Sequence, residues 1–286
     1  MSRPVPRLVT DPAQMSAEGD AARVRGDRIV LVPTMGALHA GHVSLLDEGR
    51  RQGDRLVLSI FVNPTQFGPK EDLAKYPRPV EADLEKAALA GVDVVFMPTA
   101  AAMYPSGYQT FVEVRELQQG LCGEVRPGHF VGVATVVCKL FTIVRPHIAV
   151  FGEKDFQQLA VITRMTADLN LGVQIVPSPT VREPDGLAMS SRNVYLSPAE
   201  RTRAVALSQG LRAAAAALTT GERDGRKLLA TAKAIIKPAV DRLEYLELRD
   251  AATLAPISSV TNEAVLLVAA FVGTTRLIDN LRLTPT

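Results

Sequence analysis

The chain has 286 residues, of which 47% are hydrophobic and 22% are charged, and its 32 basic and 30 acidic residues leave a formal net charge of +2. This balance is typical of a globular protein with a large core, and it gives no reason to expect nucleic acid as a partner. Two cysteines are too few for a disulfide framework, so we expect a cytoplasmic protein. We also expect no signal peptide and no membrane-spanning segment, because no apolar run has the required length.

Residues up to about 180 alternate between apolar runs of strand length and amphipathic helical patterns. The run at 55–62 is apolar almost throughout, which is typical of a parallel strand covered on both faces. The predicted strands lie at 28–33, 55–62, 91–98, 147–151 and 172–177, with a possible edge strand at 109–114. Residues 7–26 are predicted to form a short strand or turn followed by a helix. Further helices are predicted at about 41–51, 79–90, 130–144 and 154–170, and 117–129 is predicted to be a glycine-rich loop. This alternation predicts an α/β fold with a doubly wound parallel sheet, whose ligands bind beyond the carboxyl ends of the strands.

The character of the chain changes after residue 180. Ser197 and Glu200 form a capping box with Pro198 at the first helical position, which predicts a helix from there to about residue 219. A second helix is predicted at 223–241, followed by strands at 245–249, within 264–272 and at 275–281. Helices followed by strands of antiparallel character predict a smaller α+β domain. We therefore expect two domains, at 1–180 and 181–286.

The stretch from Pro33 to His42 follows an apolar run and precedes a helical pattern. A strand, a glycine turn and a helix in this order place backbone N–H groups and the positive end of a helix together, which favours anion binding. His39 and His42 are three residues apart, so they share a helix face and can donate hydrogen bonds or protons to phosphate. A strand, a glycine turn and a helix in this order also occur in α/β proteins as an ordinary connection between elements. The histidine pair is compatible with a metal as well, although no third cysteine or histidine ligand lies nearby.

Two further loops carry groups that suit phosphate. In the segment Phe151–Asp155, a strand ends and a helix is predicted to begin with Lys154 in its first turn. A cation is disfavoured there by the helix dipole, so Lys154 either faces a bound phosphate or is simply solvated. Gln158, four residues later, is predicted on the same face. Near the expected domain boundary, Met189–Arg192 offers two hydroxyls and a guanidinium.

Other polar residues allow structural explanations. Asn63 and Gln66 follow a predicted strand and can bind a small polar substrate, although turn formation explains Asn63 fully. Asp83 is a candidate Mg²⁺ ligand, but the pattern favours an exposed helix face. Arg126–Phe130 is predicted as a helix entry, and His147 is predicted to be structural.

Five separated motifs, taken together and in this order, resemble those of the pantothenate synthetase family within the HxGH nucleotidyltransferase superfamily. The motifs are Pro33–His42, Asn63–Phe67, Arg126–Phe130, Phe151–Gln158 and Asp185–Asn193. The resemblance covers nearly all of the chain and is weak only after about residue 200. It implies a Rossmann-like domain, a smaller C-terminal lid domain and a homodimer.

The resemblance also implies an activity, the ATP-dependent condensation of (R)-pantoate with β-alanine to pantothenate, a precursor of coenzyme A. The pantoate carboxylate would attack the α-phosphate of ATP, giving pantoyl adenylate and pyrophosphate. The β-alanine amine would then attack the activated carbonyl and release AMP. Mg²⁺ would accompany ATP, and the partners would be these small molecules, with no nucleic acid and no membrane.

Residue roles follow from the matching motifs as part of this resemblance. His42 would be the proton donor, with His39 beside it and Lys154 on the phosphates. Gln66 and Gln158 would hold pantoate, with Gln66 also near β-alanine. The residues implied to contact ATP are Met35, Gly36, Ala37, Leu38, His39, Ala40, Gly41, His42, Gly152, Glu153, Lys154, Asp155, Val181, Met189, Ser190, Ser191 and Arg192. Where family members often carry an acidic run, this chain has only Glu81 and Asp83, so no metal ligand is assigned.

Two alternatives stay open at this point. The chain can be another HxGH nucleotidyltransferase that stops at a stable nucleotide-linked product, or a nucleotide-binding module without catalysis. An aminoacyl-tRNA synthetase is disfavoured, because the sequence carries no RNA-binding extension and no basic surface.

Overall fold

The structure, a computed structural model, describes residues 5–69 and 71–285. The chain divides into two compact units. The first unit comprises Met1–Gln118, Arg126–Glu153 and Gln158–Pro179, and the second comprises Gln119–Val125, Lys154–Gln157 and Thr180–Thr286. Two short segments from the first part of the chain therefore belong to the second unit. The domain boundary at residue 180 stays a prediction.

The strands and helices follow the predicted alternation. The strands are β1 (Arg7–Val9), β2 (Ile29–Thr34), β3 (Arg55–Ile60), β4 (Val94–Phe96), β5 (Ile148–Gly152), β6 (Gln174–Ser178), β7 (Arg242–Asp250), β8 (Ala264–Val272) and β9 (Thr275–Leu283). The helices are α1 (Pro12–Val24), α2 (Ala40–Gln52), α3 (Val80–Leu89), α4 (Ala100–Met103), α5 (Leu121–Val125), α6 (His129–Val144), α7 (Phe156–Asp168), α8 (Pro198–Ala204), α9 (Ala206–Thr219) and α10 (Gly225–Ile236). Within 5–69 and 71–285, no helix combines the length and apolar character needed to cross a membrane.

The first unit contains a six-stranded sheet in the order β1-β4-β3-β2-β5-β6, and its paired strands are parallel. From β2, the chain places β3 and β4 on one side and β5 and β6 on the other. The carboxyl ends of β2 and β5 therefore flank the point where the strand order reverses. This is where open α/β sheets bind ligands. The predicted doubly wound parallel sheet is confirmed.

The core of the first unit explains why these segments form strands. Val30, Val32, Leu56 and Leu58 are fully buried on neighbouring strands. Leu46 on α2 packs into the same cluster. Continuous apolar runs suit strands that are covered on both faces, which is the pattern seen in the sequence.

The second unit contains the antiparallel sheet β7-β8-β9. Leu211 on α9, together with Leu228 and Ile236 on α10, lies in one buried cluster with Leu266 and Val268 of β8. The predicted capping box of Ser197 and Glu200 at the start of α8 is confirmed. The smaller α+β unit is therefore as predicted.

The prediction of a possible edge strand at 109–114 is wrong. These residues are irregular, and the Val112 N–H donates to the Thr135 hydroxyl of α6 at 2.9 Å. The Thr135 hydroxyl thus accepts a hydrogen bond that a neighbouring strand would otherwise accept. A short alternating pattern does not distinguish an edge strand from a loop that bonds to a helix side chain, because either one pairs the backbone N–H and C=O groups.

Helix ends also differ from the predictions. The loop predicted at 117–129 contains the short helix α5, and α6 begins at His129 rather than Phe130. The helix predicted at 223–241 ends at Ile236, because Pro238 has no N–H to continue it, and a 3-10 turn follows.

Candidate active site

The turn between β2 and α2 has a backbone that requires glycine at position 36. Gly36 has a φ of +83°, and a Cβ there would lie 3.0 Å from the Asp83 carboxylate. The Thr34 hydroxyl accepts a hydrogen bond from the Gly36 N–H at 3.2 Å and donates to the Ser59 carbonyl at 2.8 Å. The turn is therefore fixed to the neighbouring strand β3.

Asp83 on α3 holds the same turn from the other side. Its two carboxylate oxygens accept hydrogen bonds from the N–H groups of Ala37 at 2.8 Å and Leu38 at 2.7 Å. One helical turn further on, the Lys86 ammonium donates to the Leu38 carbonyl at 2.6 Å. The prediction that Asp83 lies on an exposed helix face is wrong, since it is only 1% exposed. Two N–H groups expected to be available for phosphate are thus already bound by this carboxylate.

His39 and His42 form a reciprocal cap at the start of α2. The Gly41 N–H donates to Nδ1 of His39 at 3.1 Å, and the His39 N–H donates to Nδ1 of His42 at 3.3 Å. The ring centroids are 4.1 Å apart. A ring nitrogen that accepts carries no proton, so each neutral imidazole carries its proton on Nε2. Both rings can therefore act as Nε2–H donors, which is the property that phosphate binding needs.

Gln66 lies in a 3-10 turn after β3, and its amide is oriented by neighbours. Its Oε1 accepts from Asn63 at 3.0 Å, and its Nε2 lies 3.3 Å from the sulfur of Met35. Asn63 is 1% exposed, donates to the Gly132 carbonyl at 3.1 Å and accepts from the Tyr104 hydroxyl at 2.8 Å. The predicted site residues Met35 and Gln66 thus lie together, and Asn63 acts by orienting Gln66.

Arg126 and His129 bind the main chain of Gln66. The Arg126 guanidinium donates to its carbonyl at 3.2 Å and to the Glu71 carboxylate at 2.7 and 2.5 Å. His129 Nδ1 lies 2.8 Å from the same carbonyl. Burial raises the pKa of Glu71, but hydrogen bonds and charge from Arg126 outweigh burial and leave that pKa below its usual value. The predicted helix entry at Arg126–Phe130 therefore also anchors the turn that carries Gln66, which the sequence did not reveal.

Gly152, Glu153 and Gln158 complete the predicted site residues of the first unit. Gly152 ends β5 and therefore lies at the same sheet edge as the turn after β2. A Cβ on Gly152 would have its nearest neighbour, the Leu45 side chain, at 3.9 Å. Gln158 lies in the first turn of α7 and is half-buried. The carboxyl ends of β2, β3 and β5 thus present histidine, glutamine and glycine residues.

Lys154 and Asp155 belong to the second unit. A helical segment begins here as predicted, with Lys154 in a first turn of the 3-10 type, Glu153–Asp155, and α7 follows from Phe156. The Lys154 ammonium lies 3.7 Å from the Asp155 carboxylate. The Lys154 carbonyl accepts a hydrogen bond from the Asn280 side chain of β9 at 2.8 Å.

The remaining predicted residues of the second unit lie on one hairpin and the turn after it. The Met189 N–H donates to the Val181 carbonyl at 3.0 Å, which places these two residues side by side. The Ser190 hydroxyl accepts from the Arg192 N–H at 3.2 Å and caps the 3-10 turn Ser191–Tyr195. The structure thus brings Val181 and Met189–Arg192 together within this unit.

Asp83 and Glu81 do not belong to a cluster that fits a metal ion. Among residues 5–69 and 71–285, no cluster of three or more histidine, cysteine, aspartate or glutamate side chains fits a metal ion. Asp83 binds two backbone N–H groups, and Glu81 is exposed. Mg²⁺ keeps most of its water and usually binds through substrate phosphates with one or two carboxylates. We therefore assign neither carboxylate as a metal ligand.

Comparison with known sequences identifies relatives over almost the whole chain. The sequence model of the pantoate-beta-alanine ligase family matches residues 7–282. The pantothenate synthetase of Syntrophotalea carbinolica is 56% identical over 274 residues, which cover 96% of this chain and 97% of the relative. That of Anaeromyxobacter dehalogenans is 56% identical over 285 residues, which cover 97% of this chain and 99% of the relative.

Solved structures agree with these relatives. The pantothenate synthetase of Thermus thermophilus is 43% identical, has a TM-score of 0.92, and is matched over 98% of this chain and 100% of its own. The pantoate-beta-alanine ligase of Francisella tularensis, crystallised in complex with beta-gamma ATP and β-alanine, is 33% identical with a TM-score of 0.81, over 96% of this chain and 97% of its own. Because the family model spans residues 7–282 and these relatives match almost the whole chain, the chain belongs to the pantoate–β-alanine ligase family.

Proposed function

We propose that the chain is an ATP-dependent ligase that condenses (R)-pantoate with β-alanine to pantothenate. A carboxylate oxygen of pantoate attacks the α-phosphorus of ATP, the bond to pyrophosphate breaks, and pantoyl adenylate forms. The β-alanine amine then attacks the acyl carbon, a C–N bond forms, and the C–O bond to AMP breaks as the amine loses a proton. Family membership supports this proposal, as does the Francisella tularensis relative, which was crystallised with beta-gamma ATP and β-alanine.

The observation that carries the proposal is the set of donors after β2 and β3 in the first unit. His39 and His42 have Nδ1 occupied by backbone N–H groups, which leaves the proton of each neutral ring on Nε2. Attack on phosphorus gains more from charge neutralisation than from covalent help. Donors fixed by a helix cap need no reorganisation during the reaction. Gln66, oriented by Asn63 at 3.0 Å, supplies an amide for a carboxylic acid substrate.

Each site residue has a proposed role in this scheme. His42 donates to the phosphates as the charge develops, with His39 beside it. Lys154 and Arg192 supply positive charge to the phosphates. Gln66 and Gln158 bind pantoate, and Gln66 also lies near the β-alanine amine. The backbone and side chains proposed to contact the rest of ATP are Met35–Gly41, Gly152, Glu153, Asp155, Val181 and Met189–Ser191.

The same proposal covers the metal ion, the oligomeric state and the cellular location of the protein. Mg²⁺ enters bound to ATP and neutralises phosphate charge, and no protein ligand is assigned to it. The resemblance to the family supports a homodimer, which light scattering would detect as twice the monomer mass. Cys122 and Cys138 form no disulfide with each other, and we propose a reducing cytoplasm as the location.

One assay separates this function from its rivals. The purified chain is incubated with ATP, Mg²⁺ and pantoate, with or without β-alanine, and AMP, pyrophosphate and pantothenate are quantified. We expect steady AMP release only when β-alanine is present, in equal amount to pantothenate. Steady release of pyrophosphate without β-alanine, with the nucleotide retained in a product and no AMP released, would favour a nucleotidyltransferase with a stable nucleotide-linked product. ATP binding without turnover would favour a non-catalytic module.

His42→Ala and Lys154→Met test the residue roles in this assay. Both variants should lose turnover by about 100-fold or more while keeping the wild-type circular dichroism spectrum. Arg164→Ala is the matched control, because Arg164 is an exposed cation on α7 that pairs with Asp168 of the same helix at 2.8 Å. Normal turnover in His42→Ala or Lys154→Met would show that these side chains are bystanders.

A further inference from the structure

Arg182 makes a buried ion pair in the second unit that the proposed reaction does not use. Its guanidinium donates to both oxygens of the Asp279 carboxylate, at 2.7 and 2.9 Å. Asp279 is 3% exposed and lies on β9. Arg182 also donates to the carbonyls of Gly186 at 3.1 Å and Asn280 at 3.2 Å. One guanidinium thus joins the hairpin at 181–189 to β9.

The hairpin side of this pair carries residues proposed to contact ATP. Glu183 and Leu187 are joined by a backbone hydrogen bond of 2.8 Å, and Met189 bonds back to Val181 at 3.0 Å. Arg182 lies between these two hydrogen-bonded pairs and forms an antiparallel β-bridge with Ala188. Its contact with the Gly186 carbonyl closes the tip of the hairpin. The position of Met189, and of the hydroxyls that follow it, therefore depends on Arg182.

The other side of the pair leads to Lys154. Asn280 directly follows Asp279, is 5% exposed, and its backbone N–H donates to the Asp279 carboxylate at 2.7 Å. The Asn280 side-chain amide donates to the Lys154 carbonyl at 2.8 Å. Two residues further along the chain, the Arg282 guanidinium lies 4.8 Å from the centroid of the Phe156 ring. The segment Lys154–Gln157 is therefore held against β9 by its main chain and by a ring contact.

We propose that Arg182, Asp279 and Asn280 are positioning residues that fix Lys154 and the hairpin 181–189 relative to each other for ATP binding. This inference rests on the proposed function, because it takes Lys154 and Met189–Arg192 to contact ATP. A buried carboxylate held by a bidentate arginine has a single geometry. Rigid placement of binding groups matters because a displacement of about 1 Å can cost about 100-fold in rate.

The chain offers a matched control for a purely structural role. Arg276 and Glu244 form a second ion pair on the same sheet, at 2.7 Å, with side chains that are 19% and 9% exposed. The Arg182–Asp279 pair has the same 2.7 Å contact and side chains that are 18% and 1% exposed. The Glu244 pair joins β7 to β9 through Arg276, which precedes Asp279 by three residues on the same strand. Glu244→Gln thus removes a comparable charge from the same sheet.

The test measures ATP affinity by calorimetry on the full chain, with thermal unfolding in parallel. Asp279→Asn and Asn280→Ala should weaken ATP binding by about 10-fold or more, whereas Glu244→Gln should stay within about twofold of wild type. The Michaelis constant for pantoate should stay within about twofold in all three variants. Equal loss of ATP affinity in Glu244→Gln and Asp279→Asn, at equal loss of melting temperature, would overturn the inference.

A double-mutant comparison tests the route through Lys154. In a Lys154→Met background, Asn280→Ala should weaken ATP binding much less than it does in the wild type, because its effect passes through Lys154. Additive losses would overturn the inference. If Asp279→Asn does not fold, the ATP affinity of Asn280→Ala still tests the inference. If the wild type binds ATP but forms no pantothenate, the proposed function is wrong. The ATP affinities of the variants still test whether Arg182, Asp279 and Asn280 position the ATP-binding residues.

Discussion

The carboxylate of Asp83 binds the backbone N–H of Leu38 at 2.7 Å, across 45 residues of sequence. With the bond to Ala37, this contact fixes the turn that precedes the paired histidines. Removal of the carboxylate leaves two backbone N–H groups without their acceptor. Asp83 is therefore a structural support for the turn rather than an exposed helix residue.

Asp83→Ala should lower the free energy of unfolding by about 2 to 6 kcal/mol, since each of the two unpaired N–H groups costs about 1 to 3 kcal/mol. Urea unfolding measures this change, and the Michaelis constant for ATP should rise in the same variant. Glu81→Ala, an exposed carboxylate on the same helix, is the control and should unfold like the wild type. If Asp83→Ala keeps its stability and instead changes the Mg²⁺ requirement, the structural role is wrong.

The two roles of His39 can be separated, because its Nδ1 caps α2 and its Nε2 is the proposed donor to phosphate. In His39→Asn, the side-chain oxygen replaces Nδ1 as acceptor, and asparagine is a favourable capping residue. Its free energy of unfolding should stay within about 0.5 kcal/mol of wild type, whereas His39→Ala should lose about 1 kcal/mol. Turnover should fall by about 100-fold in both variants. A fully active His39→Asn would show that capping is the only role of this residue.

Gly132 permits a close approach of α6 to the turn that carries Gln66. A Cβ at this position would lie 2.7 Å from the Gln66 backbone nitrogen. Gly132→Ala should therefore displace the turn and raise the Michaelis constant for pantoate by about 10-fold, with ATP little affected. Gly68→Ala is the control, because its Cβ would have its nearest neighbour at 3.7 Å. A larger effect on ATP than on pantoate would contradict the placement of pantoate at Gln66.

His147 gives a pH dependence of stability. Its Nδ1 accepts a hydrogen bond from the Ile29 N–H at 3.0 Å. Burial lowers the pKa of His147 below its ordinary 6.5, and the charges of Arg23 and Arg28 lower this pKa further. The neutral form is thus favoured in the folded state. Its stabilisation is complete above pH 6.5 and is lost as the pH falls through the lowered pKa.

His147→Asn keeps an acceptor for the Ile29 N–H but does not titrate. Urea unfolding at about pH 7.5 and about pH 5.5 should show a larger loss of stability for the wild type than for this variant. The difference between the two proteins isolates His147 from the other groups that titrate in this range. Parallel pH profiles would contradict the contribution of this histidine.

Local patterns predicted most of the fold because its strands are short apolar runs covered on both faces. Leu56 and Leu58 show this, since both are fully buried on β3 as the run predicted. The prediction at 109–114 was wrong because Val112 bonds to the side chain of Thr135, a tertiary contact with no local signal. Lys154 lies in a 3-10 turn that leads into α7, and sequence patterns do not distinguish such a turn from a first α-helical turn.

The site was predicted through residue types that carry chemistry, such as His42 and Gln66. The residues that hold them were not predicted, because their function depends on distant partners. Asp83 bonds to a turn 45 residues earlier in the chain, and Arg126 bonds to Glu71 across 55 residues. A carboxylate on an amphipathic helix and an arginine near a helix start both have ordinary surface explanations. Only the folded chain shows which of them are buried and paired.

The most direct test of the proposed reaction follows oxygen from pantoate. Pantoate labelled with oxygen-18 in its carboxylate is incubated with the enzyme, ATP, Mg²⁺ and β-alanine, and the nucleotide product is analysed by mass spectrometry. Attack of the carboxylate on the α-phosphorus, followed by cleavage of the acyl C–O bond, transfers one labelled oxygen to AMP. The account predicts singly labelled AMP in equal amount to pantothenate. Unlabelled AMP, or label in inorganic phosphate with ADP as product, would contradict it.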